Sequence, residues 1–462
     1  MFKPATYEAY KLLHDGILAF SAMEAAGVKV DVEYLNNTIT STEKEIDYMN
    51  RELKNHKFYR VWKRTYGDRT KLRSRAQLGD VLFNKVGIPH PGKKTKNFKD
   101  SVDDEVLEDI ANSFVQTYLK VEKRHKLLGT YFMGIRSELV NGFVHPSYLL
   151  NTTVTYRSSC CNPNFTNIPS RDPEIAEKIR RCYIPRKKNW RLGEFDFSGV
   201  EVRVGACYHK DPNMISYIKD KTRDMHRDMA AECYMLPENQ ITKSIRHCGK
   251  NMFVFPQFYG DWWLSCGKSM WQAIHKMDLK LVNGMPLAKH LKRKGITELG
   301  DIQDGSPTPG TFMEHMQKVE KNFWQKRFPV YADWKKSYWE KFQRRGWLKT
   351  KTGFVVSGNF RKNEVINSPI QGDAFHLDLW SIIEIDKELR LRELRTVIIG
   401  EIHDSIITDG PDEESDEVNE LCVKVMTKDL VKAMPWINVP IEVEVERPPV
   451  GRSWHEKQKV TL

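Results

Sequence analysis

Two aspartates constrain this chain most, because each stands where an apolar, strand-like run stops. Asp196 follows the short run RLGEF and precedes a helical run, SGVEVRVGAC. Asp404 lies in IHDSI, between the apolar segments VII at 397–399 and SIIT at 405–408. A carboxylate at a strand tip is exposed at the end of a sheet, yet held by rigid backbone. Two of them on neighbouring strands can hold two divalent ions ~3.5–4 Å apart, one beside an attacking hydroxyl and one beside a leaving phosphate. Magnesium suits such a site, since it takes few protein carboxylates and completes its octahedron with water and phosphate oxygens. Taken singly, either aspartate reads better as a turn or helix-cap residue.

Composition narrows the classes. The 462 residues make about three domain-sized units. A net charge of +12 suits a partner made of phosphates, and equally an unspecialised basic protein. The eight cysteines form no CxxC pair and no Cys/His group with zinc spacing, so free thiols in a reducing compartment are expected. No apolar run reaches ~18 residues, which excludes a helical membrane span. The opening MFKPATYEAYKLLHDG lacks the charged-then-apolar order of a signal peptide. A cytoplasmic protein is the expectation.

Tyr10, Leu13, Ile17, Phe20 and Met23 recur at helical spacing, predicting a helix over 7–26 that Gly27 stops. Residues 34–145 read as charged and helix-rich, with loop-like breaks at TYGDRTKLRSRAQ and at the lysine-rich GIPHPGKKTKNFKD. Residues 147–190 read as irregular and 213–260 as helical. Within 261–328 there is a turn-like DGSPTPG, and Trp262, Trp263 and Trp271 read as core or as template- or partner-binding residues. A helix is expected over 373–394, and a period-two strand at VPIEVEVE, 439–446.

Six segments in order, YRSSCCNPNFTNIPSR, DFSGVEVR, RDMHRDMAA, RHCGKNMFVFPQFYG, NSPIQGDAFHL and IHDS, together resemble the motifs of the family A DNA polymerases. DFSGVEVR is similar to motif A (DYSQIELR), and IHDS to motif C (VHDE). RHCGKNMFVFPQFYG resembles motif B, a helix with Arg, Lys, an aromatic and Tyr-Gly at spaced positions. YRSSCCNPNFTNIPSR, NSPIQGDAFHL and RDMHRDMAA resemble three further segments of the family. Six segments in order make coincidence implausible.

The resemblance implies an α+β right-hand polymerase fold: a helical thumb at 1–149, a palm with an antiparallel sheet at 150–212 and 395–462, and helical fingers at 213–394. It implies template-directed addition of deoxynucleotides to a primer 3′-end with two Mg2+ ions, for which Mn2+ can substitute. Asp196, Asp404 and the backbone carbonyl of Phe197 would hold the metals. Lys250 would serve the leaving pyrophosphate. Arg246, Lys250, His226, Glu201, Phe255 and Tyr259 would contact the nucleotide, with Glu201 excluding a 2′-hydroxyl. Arg157, Asn164, Asn167, Arg203, Gln371 and His403 would contact DNA, largely in the minor groove, where shared acceptors let Arg and Gln check pairing. Primer-template DNA and deoxynucleoside triphosphates are the implied partners of a monomer. With thumb-like helices beginning almost at Met1, no editing domain is expected, and proofreading would come from a separate exonuclease or go with a processivity factor, as in a phage-type system.

Two departures sharpen the expectations. Ser405 stands where motif C usually has Glu, as in single-subunit RNA polymerases; that rival is opposed by Glu201 and the short N-terminal region. A non-catalytic DNA-binding relic is the other rival, opposed by retention of Asp196, Asp404, Arg246 and Lys250. Motif B is also one residue too long between Lys250 and Tyr259. A π-bulge absorbs one extra residue, and Pro256 removes a helix hydrogen bond. A bulged or kinked helix between 250 and 256 is therefore expected, with Phe255 near the base.

Overall fold

A computed structural model describes residues 2–92, 100–169 and 172–461. Its first helix, α1 (Tyr7–Ala26), is where the apolar spacing puts it. The Thr6 hydroxyl accepts the Ala9 amide at 3.1 Å, supplying a partner that the first helical turn lacks. Asp31 caps α2 (Val32–Asn55) in the same way, through the Tyr34 amide at 2.9 Å. The end of α2, α3 (Lys57–Tyr66) and α4 (Ser113–Lys126) enclose a small core of their own around Trp62, Leu82 and Phe114. Half of the lysine-rich break at 87–100 lies outside the described residues, which omit 93–99.

The stretch 147–190 is more ordered than expected. Ser147–Leu149 pairs with Ser159–Cys161, and Pro173–Arg180 is a helix capped by Asp172. Strand β1 (Trp190–Phe197) follows, then α5 (Val200–His209) and α6 (Met225–Tyr234). After a further helical segment, 243–259, come α7 (Trp263–Lys276), α8 (Phe312–Asn322), α9 (Pro329–Arg345) and α10 (Lys362–Leu391). The DGSPTPG turn forms a small hairpin, Ile302–Gln303 against Ser306–Pro307. Helix α10 begins well before the expected 373, running through Pro369. Its buried Asp373 accepts the Tyr208 hydroxyl and the Lys351 and Thr352 amides, which ties the helix to its surroundings.

The last strands are β2 (Val397–Ile402), β3 (Ser405–Pro411), β4 (Val443–Arg447) and β5 (Gln458–Lys459). The sheet is antiparallel in the order β2-β3-β1-β4-β5. β4 starts four residues later than the period-two pattern suggested. Val439 and Ile441 are buried, but the backbone beside them is engaged elsewhere: the Pro440 carbonyl accepts from the Arg203 side chain and the Glu442 carbonyl from the Ser198 amide. Leu192, Phe195 and Phe197 of β1 are buried in the main core, each contributing about 1.5–3 kcal/mol relative to exposure. That packing makes β1 a rigid mount for Asp196. Among the described residues, no helix is long and apolar enough to cross a membrane.

Candidate active site

β2 and β3 are joined by a two-residue turn, His403–Asp404, with Ile402 paired to Ser405. His403 adopts the left-handed conformation at φ 64° that so tight a turn needs. Ser405 pairs with Asp196 across β3 and β1, and the Phe197 amide donates to the Asp404 carbonyl at 3.0 Å. The two aspartates are thus brought side by side on adjacent strands. Among the described residues neither carboxylate is ion-paired. Burial pushes Asp196 up to about 7, and the neighbouring Asp404 adds to the shift. Burial pushes Asp404 up to about 6, opposed by Arg157. A pair of half-buried, unneutralised carboxylates is a cost to the fold that a cation would remove.

Beside this turn lies a cavity of about 600 Å³. Of the residues singled out in the sequence, Arg157, Glu201, Phe255, Tyr259, Gln371, His403 and Asp404 line it. The Tyr259 hydroxyl donates to Glu201 at 2.6 Å, and Arg157 pairs with the other oxygen of Glu201 at 3.1 Å. An adjoining polar recess is lined by Arg157 and His403 together with Asn164 and Asn167.

The segment 243–259 holds the expected irregularity. It is α-helical over Lys243–Cys248, a π-helix over Gly249–Val254, and α-helical again over Phe255–Tyr259. Five positions from Lys250 to Phe255 fill one wide turn, so Arg246, Lys250, Phe255 and Tyr259 follow one face. The Lys250 ammonium lies 5.1 Å from the centre of the Phe255 ring, and the His226 ring meets that ring edge-on at 5.6 Å. Burial lowers His226 to about 4, helped by Arg246 and Lys250, so it is neutral at pH 7. Arg246 is held by Asp224 at 2.5 Å. Arg246, Lys250 and His226 gather at the Phe255 end of the cavity without lining it.

Arg203 departs from expectation. It is buried, and its guanidinium donates to the carbonyls of Ser198 and Pro440 and to Glu442 at 2.6–2.7 Å. With Nε, Nη1 and Nη2 all engaged inside the protein, Arg203 ties α5 to the approach of β4 and is not offered to DNA. Arg203→Ala should lower unfolding stability by about 3 kcal/mol, since it strands two carbonyls and a carboxylate; urea denaturation measures this.

Two acidic residues behind the turn escaped the sequence reading. Glu401 is fully buried and accepts from the Ser158 hydroxyl at 2.6 Å. Asp378 of α10 is fully buried, and neither of its carboxylate oxygens has a partner among the described residues. Burial, then Glu401, raises Asp378 well above the ordinary carboxylate value. The one signal in the sequence was an acid inside the apolar run VIIGEI. Trp263 is buried, Trp271 packs against the core and Trp262 is exposed.

The family model described as DNA polymerase family A matches residues 36–269 and 310–456. DNA polymerase I, thermostable, of Thermus aquaticus is 27% identical over 448 residues, covering 94% of this chain and 46% of its own length. DNA polymerase I of Geobacillus stearothermophilus is 27% identical over 452 residues, covering 96% of this chain and 45% of its own length. The chain therefore spans about half the length of the curated relatives it matches. A solved structure, the POL domain of Pol1 from M. smegmatis in complex with DNA primer-template and dNTP, has the same fold: TM-score 0.74 at 22% identity, covering 96% of this chain and 70% of that one.

Proposed function

The chain belongs to DNA polymerase family A, and on that premise we propose that it extends a primer 3′-end by template-directed addition of deoxynucleotides. The observation that carries the reading is the convergence of Asp404, Glu201, Tyr259, Phe255, Arg157, Gln371 and His403 on one cavity beside the Asp196–Asp404 pair. In this reading 1–149 is the thumb, 150–212 and 395–462 the palm, and 213–394 the fingers. Primer-template DNA and deoxynucleoside triphosphates are its partners.

Asp196 and Asp404, with the Phe197 carbonyl, would hold two divalent ions, Mg2+ or Mn2+. The donor set fits magnesium: two hard carboxylates on adjacent strands, which leave the remaining positions to water and phosphate oxygens. The chemistry such ions supply is activation of the primer 3′-hydroxyl and neutralisation of charge on the phosphates. The protein's own share is positioning and fixed charge. Arg246 and Lys250 would face the triphosphate, with Lys250 meeting the leaving pyrophosphate. Neutral His226 would donate a hydrogen bond to a phosphate oxygen. Glu201, held between Tyr259 and Arg157, would leave no room for a 2′-hydroxyl. Arg157, Asn164, Asn167, Gln371 and His403 would lie along the minor groove at the primer end.

Primer extension with either nucleotide class tests the reading. Extension with deoxynucleotides is expected; extension with ribonucleotides alone would favour an RNA polymerase-like enzyme, and none with either a binding relic. Glu201→Ala should raise ribonucleotide use on the order of tenfold or more. Unchanged sugar selectivity would remove Glu201 from this role.

A further inference from the structure

The extra residue in 243–259 raises a physical problem. A π-turn can move along a helix at little loss of hydrogen bonding, because each step exchanges one wide turn for one ordinary turn. Each such step swings the passed residue about 100° around the axis. Which side chains face the cavity therefore depends on what stops the turn from moving.

Upstream, the stop is Gly249. A Cβ there would meet the His226 carbonyl at 2.6 Å and the Ala230 Cβ at 2.8 Å, so the helix lies flush on α6. Downstream, the stop is Gln257, which is fully buried. Its amide nitrogen donates to Glu320 at 2.7 Å, and its amide oxygen accepts the Trp324 indole N–H at 2.7 Å. The Lys335 ammonium sits 3.1 Å from the Trp324 ring centre, and burial lowers that lysine to about 7. Gln257 stands two positions from both Phe255 and Tyr259. At 100° per residue those two share a face and Gln257 points about 160° away from each. It does not line the cavity. Passage of the wide turn beyond Gln257 would carry its amide off both partners and leave that buried amide without them.

We propose that Gln257 is a positioning residue for the incoming nucleotide: its paired hydrogen bonds to Trp324 and Glu320 fix the helix after the π-turn and so hold Phe255 and Tyr259 in the cavity with Glu201. The inference rests on the polymerase reading and adds to it a residue outside the site. It also gives the neighbourhood of α8 and α9 a share in nucleotide selection.

The test is single-nucleotide addition by full-length Gln257→Glu, Glu320→Gln and the double variant Q257E/E320Q, well below their melting temperatures. Gln257→Glu places two carboxylates against one another; the double variant restores both hydrogen bonds, the 257–320 bond with donor and acceptor exchanged and the Trp324 indole N–H still donating to residue 257. Gln257→Glu should raise KM for the deoxynucleotide about tenfold and lower deoxy-over-ribo selectivity about fivefold, with kcat within about threefold. The double variant should return to within about threefold of wild type. If Gln257→Glu does not fold, Trp324→Phe removes the indole donor while leaving an aromatic ring in place, and should shift KM and selectivity the same way. Wild-type KM and selectivity in a folded Gln257→Glu or, failing that, in Trp324→Phe would overturn the inference, as would a double variant no better than Gln257→Glu. A wild-type chain that adds no nucleotide would instead overturn the polymerase reading itself.

Discussion

Asp404→Asn, and separately Asp196→Asn, should lower the rate of nucleotide addition on the order of 10³-fold while primer-template affinity stays within about twofold, because each change removes charge at the reacting phosphate and leaves the DNA surface intact. The same variants carry a readout independent of catalysis. Burial holds Asp196 at about 7 and Asp404 at about 6, far above the ordinary carboxylate value. Between the unfolded and folded values the folded protein holds protons that the unfolded chain has released. Stability of the metal-free protein therefore falls as pH rises from about 4 through 7, and the full penalty applies above 7. Either Asp→Asn change removes part of it, so the variants should melt higher than wild type at pH 8 without metal. Added Mg2+ should raise the wild-type melting temperature and leave the variants nearly unmoved. Apparent Mg2+ affinity should weaken about tenfold per pH unit from 7 to 6, and more steeply below, because the metal competes with protons for the pair. Variants that bind DNA, melt below wild type at pH 8 and respond fully to Mg2+ would contradict this account of the site.

Inserting one alanine after Asn251 is the second large effect. Asn251 is exposed, so an added residue there meets little packing. It lengthens the Lys250–Phe255 interval from five steps to six, one more than a single π-turn absorbs, so Gly249 against α6 and Gln257 against Trp324 and Glu320 cannot both keep their places. Either the Arg246–Lys250 half or the Phe255–Tyr259 half must turn from the site. A displacement of about 1 Å at reacting groups is enough for a 10²-fold loss, and kcat/KM should fall by about that factor or more. Circular dichroism establishes that the helix content survives. Near-wild-type kcat/KM in a folded insertion variant would mean that the register across the π-turn has no part in the site.

Local patterns carried much of this structure. The apolar spacing of Tyr10, Leu13, Ile17, Phe20 and Met23 marks α1, and Gly27 its end. The placement of Asp196 and Asp404 after apolar runs anticipates a shared end of the sheet. Pro256 and the excess residue after Lys250 point to the distortion at Gly249–Val254. What escaped depends on partners distant in sequence. Gln257 reads as an ordinary helix residue until Glu320 and Trp324, more than sixty positions on, are brought to its amide. Arg203 looks like a DNA contact until the chain returns at Pro440 and Glu442 to occupy its guanidinium. Asp378 and Glu401 meet only when α10 packs behind β2. The start of α10 was hidden by Pro369 and Gly372, residues that punctuate loops and are here carried inside a buried helix.

The central claim is template-directed deoxynucleotide transfer at the Asp196–Asp404 pair. It is tested most directly by offering the wild-type chain and Asp404→Asn a primer annealed to templates that differ only in the next base, with each deoxynucleotide supplied singly in Mg2+. The account predicts that wild type lengthens the primer by one with the complementary deoxynucleotide on each template, and that Asp404→Asn binds the same duplex without lengthening it. Addition that ignores the template base, or that persists at the wild-type rate in Asp404→Asn, would contradict it.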